Sequence, residues 1–137
     1  MSLNNEGERR SLALIDDDDS FRKSIVRLLG AYGWTIRGFS SAVEFLKTID
    51  TERYDCLLID IHMPVMTGGK LLEAIREKGV QTPAVFISAR EPDLAHAETA
   101  GRLAQGILAK PCSISEILET FDRACRHPSD CEPLTSH

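Results

Sequence analysis

The sequence predicts an α/β fold: a doubly wound, five-stranded parallel sheet in the order 2-1-3-4-5, flanked by five helices. Three observations predict it. Short apolar runs alternate with helix-periodic segments along the chain. The runs lack the strict alternation of a half-exposed strand, as suits strands covered on both faces. Most of them also stop abruptly at polar residues. Strands joined through helices pair in parallel by right-handed crossovers, and for five strands 2-1-3-4-5 is the usual order, with its switch point between the first and third strands.

Leu12-Ala13-Leu14-Ile15 is the first run, and it stops at Asp16-Asp17-Asp18-Asp19. Phe21, Ile25, Leu28 and Leu29 follow at helical spacing after an Asp/Ser start, with a stop near Gly33. Asp18, Asp19 and Ser20 suit a helix start, where the macrodipole favours acids. Trp34 to Phe39 reads as the second strand, and a helix over about 41–49 carries Val43, Phe45, Leu46 and Ile49. The third run, Cys56 to Ile59, is too short for a helix and ends at Asp60. Pro64 disfavours helix just before itself, and Gly68 marks a second break before a helix over about 69–78 that buries Leu71, Leu72 and Ile75.

The fourth strand, 83–87, ends at Ser88-Ala89-Arg90. Its helix, over about 91–103, has only a thin apolar stripe of Leu94, Ala97, Ala100 and Leu103, and is expected to be the most exposed. The fifth strand, 106–109, ends at Lys110-Pro111. A last helix begins near Ser113, where Ser113 and Glu116 offer a capping box, and carries Ile117, Leu118 and Phe121 to about Arg126. These boundaries predict one domain over 10–126, preceded by a disordered segment, 1–9, and followed by a tail, 127–137.

The composition, 42% hydrophobic and 27% charged over 137 residues, is that of a soluble globular domain. No apolar run is long enough to cross a membrane and none resembles a secretory leader, so a cytoplasmic location is the default expectation. A net charge of −5 without clustered Lys or Arg argues against nucleic-acid binding by this chain. Cys56, Cys112, Cys125 and Cys131 form neither a Cys-x-x-Cys pair nor a zinc spacing. Cys56 reads as a small buried hydrophobe. Cys125 and Cys131 are near enough in sequence to bridge, although cytosolic thiols are usually kept reduced.

Ligands of open parallel sheets gather outside the carboxyl ends of the strands. The predicted order brings Asp16 and Asp17 beside Asp60 there, with Ser88 and Lys110 closing the crevice. Taken alone, Asp60 is as readily an Asx-turn residue, Ser88 a loop serine and Lys110 a solvated lysine. Together, three carboxylates in one cleft repel unless a cation joins them, and a few oxygen ligands suit Mg²⁺. Such a cation, an ammonium and a hydroxyl are what phosphoryl transfer needs, and an aspartate oxygen can be the nucleophile.

The strand ending in Asp16-Asp17, the run Asp60-x-x-Met63-Pro64-x-x-x-Gly68, the pair Ser88-Ala89 and Lys110-Pro111 resemble, in order and spacing, the flavodoxin-like receiver domain of two-component response regulators. The resemblance covers about residues 10–126. It implies that Asp60 accepts a phosphoryl group from a sensor histidine kinase or phosphotransfer protein. Asp17, Asp60 and the backbone carbonyl of His62 would hold Mg²⁺, and Asp16 would act through water. Ser88 and Lys110 would contact the phosphoryl oxygens, with the Lys110-Pro111 bond cis.

The resemblance further implies that Ser88 acts as a switch. The surface made by the fourth and fifth predicted helices and the fifth strand would then regulate a downstream partner or output domain. Self-association through the face around the fourth predicted helix is compatible with the family, but no sequence feature specifies it. Ile107 stands where the family commonly has Tyr or Phe, Cys112 where it commonly has Phe, and Gly101 lies further from Lys110 than usual; the aromatic form of the switch is therefore not expected here. His62 and Arg90, flanking the phosphate by analogy, are candidates for tuning water access.

The competing reading is a haloacid-dehalogenase-type phosphatase, with Asp16 as nucleophile and Asp18 as general acid. It lacks a further strand ending in paired acids and leaves Asp60-x-x-Met63-Pro64 unexplained. An EF-hand fails because Phe21 and Arg27 replace its Gly and Glu.

Overall fold

The computed structural model describes residues 10–89 and 104–125. The helix predicted over 91–103, with Arg90, lies outside them, as do the predicted terminal segments. Within them the chain runs β1 (Arg10–Ile15), α1 (Asp19–Gly30), β2 (Trp34–Phe39), α2 (Ala42–Leu46), β3 (Cys56–Asp60), α3 (Gly68–Glu77), β4 (Ala84–Ser88), β5 (Gly106–Ala109) and α4 (Ile114–Ala124). All strand pairs are parallel, and the sheet order is β2-β1-β3-β4-β5, as the sequence predicts.

The continuous apolar runs resolve into two faces because successive strand side chains point to opposite sides. Ala13, Ile15, Leu57, Ile59, Ala84 and Phe86 face one layer, where they meet Phe45 of α2 and Leu71 and Ile75 of α3. Leu12, Leu14, Cys56, Leu58, Val85 and Ile87 face the other, with Ile25 and Leu29 of α1 and Ile117 and Phe121 of α4. Every residue of β3 and β4 is buried. The sheet is therefore a floor packed on both faces.

The helix starts follow their caps. The Asp18 side chain accepts from the Phe21 N–H, Thr67 from that of Lys70, and Ser113 and Glu116 form the reciprocal capping box. The expected 41–49 helix is shorter than its periodicity suggests, and α2 ends at Leu46. Beyond it the Thr48 hydroxyl donates to the Phe45 carbonyl at 2.8 Å, and the backbone tightens into i→i+3 bonds through Thr48 and Ile49. Leu28 and Val43, counted in the apolar stripes, are instead exposed.

Candidate functional site

β1 and β3 are neighbours, and the register Ile15↔Ile59 delivers Asp16 and Asp60 side by side at the carboxyl rim. The carboxylates of Asp16, Asp17 and Asp60 offer oxygens that all lie within 4.8 Å of one another. Asp16 is wholly buried and held on all sides. Its N–H donates to the Phe39 carbonyl at 3.0 Å, and its Oδ1 accepts from the Asp18 N–H at 2.9 Å. Its Oδ2 pairs with Lys110 Nζ at 2.8 Å. Arg22, which also pairs with Asp19, donates to the Asp16 carbonyl at 2.7 Å. Lys110 Nζ lies 4.2 Å from the centroid of the Phe21 ring, a cation–π contact that fixes the ammonium toward the acids.

Asp60 is only 5% exposed. Burial first, then the Asp16 carboxylate, push its carboxyl up to about 7, against the opposing pull of Lys110 and of the His62 N–H, which donates to Oδ1 at 3.2 Å. Asp17 is exposed, so the cluster opens to solvent on that side.

The loop after Asp60 is tightly folded back. The Ile61 N–H donates to the Ile87 carbonyl at 3.0 Å and the Gly68 N–H to the Ile61 carbonyl at 2.9 Å. A Cβ on Gly68 would collide with the Asp60 carbonyl oxygen and sit 3.0 Å from Ile59 Cγ2 and Ile61 Cα, so only glycine lets α3 start this close to the strand end. Val65, 98% exposed, takes φ +72, a left-handed conformation that a β-branched residue rarely adopts. Strain of this kind clusters at functional loops.

Ser88 ends β4 next to Asp60's strand, fully buried, and its carbonyl accepts from the Lys110 N–H at 2.7 Å. The Lys110-Pro111 bond is cis, as the resemblance implies. Asp16, Asp17, Asp60 and Lys110 thus converge at one rim, with Ser88 on the adjoining strand end and His62 bonded to Asp60 through its backbone. Ile107 lies on the edge strand β5, paired in register with Phe86 and 38% exposed. Asp18 is committed to capping α1, which leaves the phosphatase reading without its general acid.

Sequence reasoning missed Arg22 and the orienting role of Phe21. Their only signal was position: both lie in the first turn of the helix that follows the acids.

The acid set fits a hard dication: oxygen donors alone, close together, open to water at Asp17, and carrying more negative charge than the paired Lys110 offsets.

Comparison with known proteins agrees with this geometry. A family model described as the response regulator receiver domain matches residues 12–122. The DNA-binding transcriptional regulator NtrC of Proteus hauseri is 32% identical over 120 residues, which are 88% of this chain and 25% of that protein. The transcriptional regulatory protein TdiR of Thauera aromatica is 27% identical over 90% of this chain and 55% of its own length. The chain therefore spans from about a quarter to about half of these relatives. Among solved structures, the receiver domain of the Francisella response regulator 1452 superposes with TM-score 0.77 at 26% identity, covering 85% of this chain and 97% of that one. The Vibrio cholerae chemotaxis protein CheY4 gives 0.78 at 25% identity, covering 84% and 98%.

Proposed function

This chain belongs to the response regulator receiver domain family, and from that premise we propose that Asp60 is its phosphoacceptor. The observation that carries the reading is the placement of Asp60 within 4.8 Å of two further carboxylates, one of them ion-paired to Lys110. An Asp60 oxygen attacks the phosphorus of a phosphohistidine on a sensor kinase or phosphotransfer protein. The new P–O bond forms as the P–N bond breaks, and the electron pair leaves with the imidazole.

Asp17, Asp60 and the His62 carbonyl would hold Mg²⁺, with Asp16 acting through water; when bound, the ion supplies positive charge to the equatorial phosphoryl oxygens. Lys110 and Ser88 complete the neutralisation from the protein side. The Phe21 ring and the Asp16 carboxylate keep the ammonium aimed at the crevice. An open groove of about 470 Å³ beside Lys110, lined by Phe21, Ile25, Leu28, Pro111 and Ile117, offers an apolar landing surface for the donor protein.

Phosphorylation then draws Ser88 toward the phosphoryl group and alters the surface that includes β5 and α4, regulating a downstream partner or output domain. With Ile107 in the aromatic position, this relay works through the backbone of β4 and β5 rather than by burial of a ring. The domain folds as one unit over 10–126 and acts in the cytoplasm as a signalling module, with phosphoryl transfer to itself and hydrolysis of that phosphoryl group as its only chemistry.

Fluorine NMR with beryllofluoride and Mg²⁺ tests the assignment. A bound resonance is expected for the unaltered chain and should vanish with chelator and in Asp60→Asn. Persistence of that resonance in Asp60→Asn refutes the reading.

A further inference from the structure

Two thiols lie at the opposite end of the sheet from the acidic rim. Cys56 opens β3 and is wholly buried; Cys125 is the half-buried C-cap of α4. Both belong to the apolar cluster between the sheet and α1 and α4. The Cys125 thiol donates to the Asp55 carbonyl at 3.7 Å, the carbonyl of the peptide group whose nitrogen belongs to Cys56. That contact sets the Cys125 sulfur against the peptide group leading into Cys56, within the apolar cluster that both side chains share. Among the described residues the only cluster of three metal-ligating side chains is the aspartate set, so this pair has no third ligand to make a metal site.

We propose that Cys56 and Cys125 are a modification site: a thiol pair that a hydroperoxide converts to an intramolecular disulfide, tying the amino end of β3 to the carboxyl end of α4. The reactivities of the two sulfurs differ in the way this requires. Cys125 is half-buried, and the neighbouring Cys56, helped by Arg10, holds its thiol below the ordinary range against the contrary effects of burial, Asp55 and Asp122. Cys56 is shielded, and the neighbouring Cys125 and burial push its thiol up.

In the first step the Cys125 thiolate attacks one peroxide oxygen. The O–O bond breaks, and the leaving oxygen takes the thiol's proton, giving a sulfenic acid and water or an alcohol. In the second step the Cys56 sulfur attacks the Cys125 sulfur. The S–S bond forms, the S–O bond breaks, and hydroxide departs as water with the Cys56 proton. The thiols lose two electrons and the peroxide gains them. Cys56 cannot react first because no oxidant reaches it, so the buried partner serves to resolve the half-buried one.

The test is peptide mapping without reduction of the full chain after hydrogen peroxide treatment. The expected result is the loss of two hydrogens and a Cys56–Cys125 cross-linked peptide, reversed by dithiothreitol. The cross-link should disappear in Cys125→Ser and survive in Cys112→Ser and Cys131→Ser. In Cys56→Ala, a dimedone-trapped sulfenic acid should accumulate on Cys125. A bridge from Cys125 to Cys131, or over-oxidised Cys125 with Cys56 still alkylatable after denaturation, overturns the proposal.

Discussion

At its amino end β3 begins with Cys56, which shares an apolar cluster with Trp34 and Phe121, rings whose centroids lie 5.2 Å apart. At its carboxyl end, four residues and roughly 13 Å later, Asp60 sits among carboxylates with its own carboxyl pushed up to about 7. Both ends are buried, yet one gains stability from burial and the other loses it. The contrast shows where the fold holds itself together and where it concentrates charge.

The largest expected effect lies at the stable end. Phe121→Ala should cost about 4 kcal/mol of stability, by removal of a fully buried ring. Mg²⁺ affinity, measured calorimetrically well below the unfolding temperature, should stay within about twofold, since distant sites act independently. A large loss of affinity would break the separation between the two ends.

Gly68→Ala acts at the other end and should cost about 2–3 kcal/mol, because its new Cβ meets the Asp60 carbonyl. Here chemical denaturation and Mg²⁺ titration should move together, since the backbone that must shift carries the acid.

Asp60→Asn sharpens the contrast by reversing the usual sign of a core substitution. Between its ordinary 3.8 and about 7, Asp60 is protonated in the folded chain and ionised in the unfolded one. The folded state then holds the extra proton, so stability falls as pH rises through that window. Without divalent cations, the variant should therefore be more stable than the unaltered chain at pH 8, by on the order of 1–2 kcal/mol once solvent screening on the open Asp17 side is allowed for, and no more stable below pH 4. Thermal unfolding across pH reads this directly. Mg²⁺ should abolish the difference by binding only the folded carboxylate, and its affinity should rise with pH through about 7.

Much of the carboxyl rim was legible in the sequence. Strands that stop at acids, a Pro and Gly fixing the next loop, and the handedness of crossovers together place Asp16, Asp17, Asp60, Ser88 and Lys110 without coordinates. Less legible was whatever depends on tertiary neighbours. Periodicity put Leu28 and Val43 on apolar stripes, but a helix lying on a sheet buries only a narrow strip of its surface, and both residues are left outside. Thr48 ends α2 early through a side-chain bond that no hydrophobic pattern encodes. The approach of Cys125 to the Asp55–Cys56 peptide is invisible to spacing rules because one cysteine opens a strand and the other ends the last helix. The long-range bond from Cys125 to the Asp55 carbonyl exists only once the sheet has formed.

Peptide mapping of the chain after acetyl phosphate and Mg²⁺ treatment tests the central claim most directly. The predicted result is one phosphoryl group on the peptide containing Asp60, absent when the ion is chelated. A phosphoryl group on the peptide containing Asp16, or labelling indifferent to chelation, would contradict it.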